Sequence, residues 1–150
     1  ENKNGWAAVI LAAGLRTSSK FHNEVKASTF HSSDKEMDKP SALITIGAVA
    51  LVDHWLTQFN DAGIERFIIV TNSVDYAKFH AWAASRSGID ADIQILDDGV
   101  TASEQQFGAA GDLAFALEKR EEYLEKHNIL VIAGDTLLYR NFHLSSLLEL

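Results

Sequence analysis

The stretch WAAVILAAGLRTSSK, residues 6–20, decides the fold class. Residues 7–11 form a short continuous apolar run centred on Val9 and Ile10, which is typical of a β-strand buried on both faces. The run ends at small residues and Gly14, and hydroxylated and basic residues follow. We therefore predict a central strand of a parallel sheet, with a loop at its exit that is a candidate for binding a ligand.

The composition limits the class of protein. The 150 residues, 47% of them hydrophobic, fit one domain with an ordinary core. The net charge of −8 argues against broad binding to nucleic acid or to an anionic membrane, since both need clustered lysine and arginine. There is no cysteine for a disulfide or a thiolate metal site, and no apolar run approaches the ~18 residues of a membrane span. We expect a cytoplasmic protein without a nucleic-acid or membrane partner.

Apolar spacing predicts alternating strands and helices along the rest of the chain. A helical pattern runs from Leu51 to Phe59, and Gly63 supplies the end of that helix. Residues 18–39 are polar and without period, which predicts a long loop. The alternation implies a Rossmann-like three-layer α/β sandwich with a mostly parallel central sheet. The other predicted strands are residues 66–72, 91–96 and 128–135, and the other predicted helices are residues 76–85 and 109–126.

Three segments rich in small or polar residues follow predicted strands: LAAGLRT at 11–17, DDG at 97–99 and AGDT at 133–136. Ligands of parallel α/β sheets collect at the carboxyl ends of the strands. In the first segment, small residues let the backbone approach a phosphate and Thr17 adds a hydroxyl. The alternative for that segment is a tight strand exit, because its glycine spacing matches neither the phosphate-loop motif nor the dinucleotide fingerprint.

Asp135 and the acidic pair Asp97 and Asp98 are candidates at the same edge. A single carboxylate together with substrate phosphates is a usual arrangement for Mg²⁺, so Asp135 is a metal ligand or else caps the next turn. Asp97 and Asp98 either face the site or only form a turn. Gly108 and Gly111 open a predicted helix, where their amides can face an anion or leave room for a flat base; the alternative is a glycine-rich helix start.

Five segments together resemble the nucleotidyltransferase family that makes nucleotide sugars. They follow the family's order and approximate spacing over most of the chain. The segments are VILAAGLRT at 9–17, KPSALITIGAVALVDHWL at 39–56, AGIERFIIVTN at 62–72, DDGVTASEQQFGAAGDL at 97–113 and LVIAGDTLL at 130–138.

The resemblance implies that residues 1–150 form one nucleotidyltransferase-like domain with the fold of nucleotide-diphospho-sugar transferases. Its partners would be a nucleoside triphosphate and a sugar 1-phosphate, with Mg²⁺ held by Asp135 and pyrophosphate as the second product. Arg16 and Lys39 are the candidates for catalytic cations that face the phosphates. The candidates for nucleotide binding are Leu11, Ala12, Ala13, Gly14, Thr17, Asp98, Gly108 and Gly111.

The sequence departs from the family pattern at the expected cations. The family loop is similar to Gly-any-Gly-Thr-Arg, whereas residues 14–18 read GLRTS, and Pro-Ser at 40–41 stands where the family has Pro-Lys. Two hypotheses follow. Either Arg16 and Lys39 reach the phosphates from neighbouring positions, or the site is catalytically impaired and the chain is a nucleotide-binding, regulatory or assembly module.

The two ends suggest a piece of a longer protein. The chain begins without methionine, and its last residues, HLSSLLEL, have the apolar spacing of a helix that continues. We expect the amino-terminal, nucleotide-binding part of a longer chain. Apolar surface left exposed where the remainder would pack favours a homo-oligomer.

Overall fold

A computed structural model of the chain describes residues 5–15, 39–86, 91–137 and 142–148. Four parallel strands form one sheet in the spatial order β5-β4-β1-β6, and two short strands form a separate antiparallel hairpin. The strands are β1 (Trp6–Leu11), β2 (Thr45–Ile46), β3 (Val49–Ala50), β4 (Arg66–Thr71), β5 (Asp92–Asp97) and β6 (Asn128–Ala133).

Strand β1 lies in the middle of the sheet, as predicted. Ala8 is in register with Phe67 of β4 on one side and with Leu130 of β6 on the other. Residues 7–10 have no solvent exposure, which explains why this strand is a continuous apolar run instead of an alternating pattern. Among the described strands, β6 is the last in the spatial order, so the side of β6 that faces away from β1 forms an edge of the sheet. Val131 on β6 is 38% exposed.

Helices cover both faces of the sheet, which confirms the three-layer α/β fold. On one face, Trp55 and Phe59 stack in series with Phe67 of β4. On the other face, Ala116 and Leu124 pack against alternate residues of β1 and β4. The helices are α1 (Leu51–Asp61), α2 (Tyr76–Ala84), α3 (Gly108–Lys119), α4 (Glu121–Leu124) and α5 (Leu144–Leu148). None of the described helices is long and apolar enough to cross a membrane.

The prediction of one helix over residues 109–126 is wrong, because the helix breaks at Arg120. The Arg120 backbone leaves the helical region, with φ of −132° and ψ of 34°. Its guanidinium Nε donates a 2.7 Å hydrogen bond to Gln94 on β5, and the Tyr123 hydroxyl donates to Asp92 at 2.9 Å. The charged end of the segment is therefore held against the outer strand as the separate helix α4.

The β2–β3 hairpin has no counterpart in the sequence-based prediction. Its turn places Gly47 at φ 62° and Ala48 at φ 68°, both in the left-handed region. The N–H of Leu51 then donates to the carbonyl of Ile44 at 2.9 Å, so the hairpin leads directly into α1. Because alanine rarely adopts this conformation, an alanine at the second turn position does not indicate a hairpin turn in the sequence.

The loop at the end of β1 is held by a buried asparagine. The N–H of Ala12 donates to the carbonyl of Val70 at 2.8 Å. Asn72, fully buried after β4, donates from Nδ2 to the carbonyl of Ala13 at 3.1 Å and accepts the N–H of Asp75 at 2.9 Å. The exit loop of β1 is thereby tied to the exit loop of β4.

Ala48→Gly should stabilise the protein. A left-handed backbone conformation destabilises a residue with a side chain by about 1–2 kcal/mol, and glycine removes that cost. Glycine also has more conformational freedom in the unfolded chain, which offsets about 0.4–1 kcal/mol of the gain in stability. We expect the free energy of unfolding in urea to rise by roughly 0.5–1 kcal/mol. The control is Ala81→Gly on the exposed side of α2, which should lose about 1 kcal/mol. A loss at both positions would contradict the left-handed turn.

Asn72→Ala should destabilise the protein by about 1–3 kcal/mol, since the Ala13 carbonyl and the Asp75 N–H lose their buried partner. Urea unfolding measures this loss. The matched control is Thr57→Ala, which removes an exposed hydroxyl that bonds to the carbonyl of Asp53, and should change stability by no more than about 0.5 kcal/mol. Equal effects of the two substitutions would mean that Asn72 does not hold the loop.

Candidate functional site

A cleft of about 220 Å³ opens at the carboxyl edge of the sheet, between the exit loop of β1 and the start of α3. The position of the cleft follows from the topology of the sheet. The exit loops of parallel strands lie at one edge, and the strand order reverses between β1 and β6, because β4 and β5 lie on one side of β1 and β6 lies on the other. Five of the predicted nucleotide-binding residues line this cleft: Leu11, Ala13, Gly14, Asp98 and Gly108.

Two other predicted nucleotide-binding residues do not line the cleft. Ala12 is the first residue of the exit loop, packs against the core and donates its N–H to the carbonyl of Val70 on β4. Gly111 lies inside α3 and faces Phe107, where a Cβ atom would come within 2.5 Å of the Phe107 Cβ. The absence of a side chain at Gly111 thus allows Phe107 to pack over the helix. Phe107 fills the space beside Gly111, so this glycine leaves no room for a ligand there.

The acidic pair at the end of β5, Asp97 and Asp98, divides between the two predicted roles. Asp97 forms the turn, because its Oδ1 accepts the N–H of Gly99 at 2.9 Å and the hydroxyl of Ser73 at 2.7 Å. Asp98 also caps the turn, since its Oδ1 accepts the N–H of Val100 at 2.7 Å, but its side chain lines the cleft. Burial raises the pKa of Asp98 and the charge of Asp97 adds to that effect, while the Val100 N–H opposes it.

Asp112 also lines the cleft, although it is not among the residues predicted from the sequence. Its side chain is 7% exposed, and Oδ1 is buried without a hydrogen-bond partner among the described residues. Burial raises the pKa of Asp112, and the negative charge of Asp98 raises it further. Spacing could have identified it: Asp112 precedes the buried Ala116 by one helical turn and so lies on the inward face of α3.

Gln106 and Phe107 form the entrance of the cleft. The Gln106 Nε2 donates a 3.4 Å hydrogen bond to the carbonyl of Leu15, which links the start of α3 to the exit loop of β1. The Phe107 ring is 55% exposed, an unusual position for a phenylalanine, and it presents an apolar surface at the entrance.

Asp135 stands on a turn after β6 that contacts both β1 and α1. The N–H of Gly134 donates to the carbonyl of Leu11 at 2.8 Å, and a Cβ atom on Gly134 would lie 3.1 Å from those of Ala12 and Ala42. The carbonyl of Thr136 accepts the indole N–H of Trp55 at 2.9 Å. The exposed Asp135 side chain is thus presented at the carboxyl edge, outside the cleft lining, without a hydrogen bond to another described residue.

The donor set at this edge fits Mg²⁺ bound mainly through a substrate. Among residues 5–15, 39–86, 91–137 and 142–148, no group of three or more histidine, aspartate or glutamate side chains converges as a metal site. An exposed, unpaired carboxylate such as Asp135 matches the arrangement in which phosphates and water supply the remaining ligands. Asp135 therefore stays the predicted metal ligand.

Of the two predicted cations, Lys39 alone lies in the described part of the chain. Arg16 and Thr17 lie outside the described residues, as does most of the polar segment 18–39. Lys39 lines a second depression of about 370 Å³ instead of the cleft. There Asp53 accepts a bidentate pair of hydrogen bonds from Arg86, which raises the pKa of Arg86.

Comparisons with known proteins identify the fold. No family model matches the sequence, and no curated protein matches it. HddC from Yersinia pseudotuberculosis is a similar solved structure, with a TM-score of 0.66, 19% identity and 95% of this chain covered against 52% of that chain. Its complex with GMP-PN gives 0.63 at 18% identity, with coverage of 95% and 52%.

A protein from Bacillus anthracis assigned as a glucose-1-phosphate thymidylyltransferase, crystallised with a sucrose, gives a TM-score of 0.70 at 16% identity. The match covers 96% of this chain and 49% of that one. The chain thus spans about half the length of these structures. Their shared architecture shows that the chain has a nucleotidyltransferase-like α/β fold.

Proposed function

We propose that this chain is the nucleotide-binding part of a nucleotidyltransferase that joins a nucleoside monophosphate to a sugar 1-phosphate. The observation that carries the proposal is the cleft between the β1 exit loop and α3, at the edge where this fold binds ligands. The names of the similar structures support it, since one is assigned as a glucose-1-phosphate thymidylyltransferase and another was crystallised with GMP-PN.

The charges at the site indicate how a nucleotide would lie. Asp98 and Asp112 give the cleft a negative character, which repels phosphates. The nucleoside therefore belongs in the cleft, with the backbone of Ala13 and Gly14 close to it and the small Gly108 leaving room. The phosphates belong outside the cleft, at the part of the carboxyl edge that presents Asp135.

In the proposed reaction an oxygen of the sugar phosphate attacks the α-phosphorus of the triphosphate. The bond from that phosphorus to the bridging oxygen breaks, and pyrophosphate leaves with the bond electrons. Mg²⁺ bound by Asp135 and the phosphates would neutralise the charge on their oxygens. Arg16 and Lys39 are proposed to stabilise the same charge, and the exit loop of β1, which is hydrogen-bonded to β4 and Asn72, would position the nucleotide.

The test is calorimetric titration of the chain with each nucleoside triphosphate, with and without Mg²⁺. Pyrophosphate release with sugar 1-phosphates is then measured on the longest native chain that contains this sequence. We expect Mg²⁺-dependent binding and turnover. The absence of binding to every triphosphate would overturn the proposal, and binding without turnover in the longest chain would favour a nucleotide-binding module.

Asp135→Asn should weaken binding of the triphosphate in Mg²⁺ by about tenfold or more, since one charged ligand of the metal is lost. Binding without Mg²⁺ should be unchanged, because Asp135 lies outside the cleft. Asp61→Asn, at the exposed end of α1, makes the same chemical change away from the site and should leave both affinities unaltered. Equal affinities for the Asp135 variant and the parent in Mg²⁺ would remove Asp135 from the metal site.

A further inference from the structure

Phe107 stands at the entrance of the cleft with more than half of its surface in solvent. The residue is 55% exposed, although phenylalanine is among the residues most often buried. It lines the cleft at the start of α3, while Ala13 and Gly14 line it from the β1 exit loop. The ring therefore offers an apolar surface to a ligand that enters the cleft.

Two glycines allow Phe107 to take this position. Gly108 follows it directly, with φ of 71° in the left-handed region that favours glycine. Gly111 lies one helical turn further on, where a Cβ atom would come within 2.5 Å of the Phe107 Cβ. Glycine inside a helix is less stabilising than alanine, so the residues at this helix start favour the placement of Phe107 over the stability of α3.

The rest of the lining suits a flat, uncharged group. A Cβ atom added to Gly14 or Gly108 would meet no described atom within 4 Å outside the adjacent backbone, so the space beside both is open. The carboxylate of Asp98 repels a phosphate. The base is the flat, uncharged part of a nucleotide. The small residues of the lining are Ala13, Gly14, Gly108, Ala109 and Ala133.

We propose that Phe107 is a binding residue of the nucleotide site and that the base stacks on its ring, between α3 and the β1 exit loop. The inference rests on the proposed function, because it names the residue that holds the base of the bound nucleotide. Every base can stack on an aromatic ring, since each has a flat π face. Purines cover more of the ring than pyrimidines, so this contact favours ATP and GTP over CTP and UTP.

The first test removes the ring and restores it. Parent and variants are titrated calorimetrically in Mg²⁺ with ATP, GTP, CTP and UTP. Phe107→Ala and Phe107→Leu should each weaken binding of every triphosphate by about tenfold, and more for the purines, because base–aromatic stacking is lost. Phe107→Tyr keeps the ring and should bind as the parent does.

Leu117→Ala is the matched control. It removes another exposed apolar side chain of α3, one that lines a different depression, and should leave all four affinities unchanged. Because Phe107 is more than half exposed, its variants should fold, which circular dichroism checks. Parent-like affinities of Phe107→Leu would overturn the inference while the proposed function stands. If no triphosphate binds to the parent, the proposed function and the inference both fail.

The second test detects the stacked base directly. Phe107→Trp places an indole at the entrance, and contact with a base should quench its fluorescence when GTP binds. The parent, which already contains Trp6, Trp55 and Trp82, is titrated alongside so that their change can be subtracted. Leu117→Trp carries the added indole away from the cleft and should show no extra quenching. The absence of extra quenching in Phe107→Trp, at a GTP concentration that calorimetry shows to be saturating, would contradict the inference.

Discussion

Strand β1 is hydrogen-bonded to β4 on one side and to β6 on the other, and its side chains are buried on both faces. This double pairing fixes where the chain leaves the sheet. It also determines which loops meet, since the exit of β1 lies beside the exits of β4 and β6. The N–H of Gly134 bonds to Leu11 and Asn72 bonds to Ala13, so the neighbouring strands hold the loop that lines the cleft.

The site is divided by charge into two parts. The cleft on the α3 side contains Asp98 and Asp112, and its described lining includes no lysine or arginine. Asp135 stands outside that lining, on a turn tied to α1 through the Trp55 indole. A nucleotide that crosses this edge would place its uncharged base in the acidic cleft and its phosphates near the metal ligand. Neutral and anionic parts of one ligand thus meet different surroundings.

The main strands and the first two long helices could be predicted because their side chains repeat with a regular period. The break at Arg120 could not, since it depends on Gln94, a residue distant in the sequence. The hairpin turn was missed because Ala48 occupies a conformation that alanine seldom adopts. In both places a tertiary or strained feature outweighs the local pattern.

The residues of the site show the same difference between features set by the local sequence pattern and features set by tertiary packing. The exit loop, Asp98 and Gly108 meet because parallel topology brings their segments to one edge. Asn72 and Asp112 were missed because their importance lies in burial, and burial of a polar side chain depends on what packs around it. Gly111 was predicted to bind the nucleotide as a glycine at the start of a helix, whereas the helix turns it towards Phe107. The role of Lys39 depends on where the phosphates lie and stays a prediction.

The position of β6 at the end of the sheet has a consequence for association. One side of this strand pairs with β1, while the other presents backbone N–H and carbonyl groups to no described strand, beside the exposed Val131. A strand edge of this kind is a template for adding another strand. A strand that pairs there, from elsewhere in the protein or from a second copy, extends the sheet beyond β6. Protein concentration thus becomes a variable in any measurement on the isolated chain.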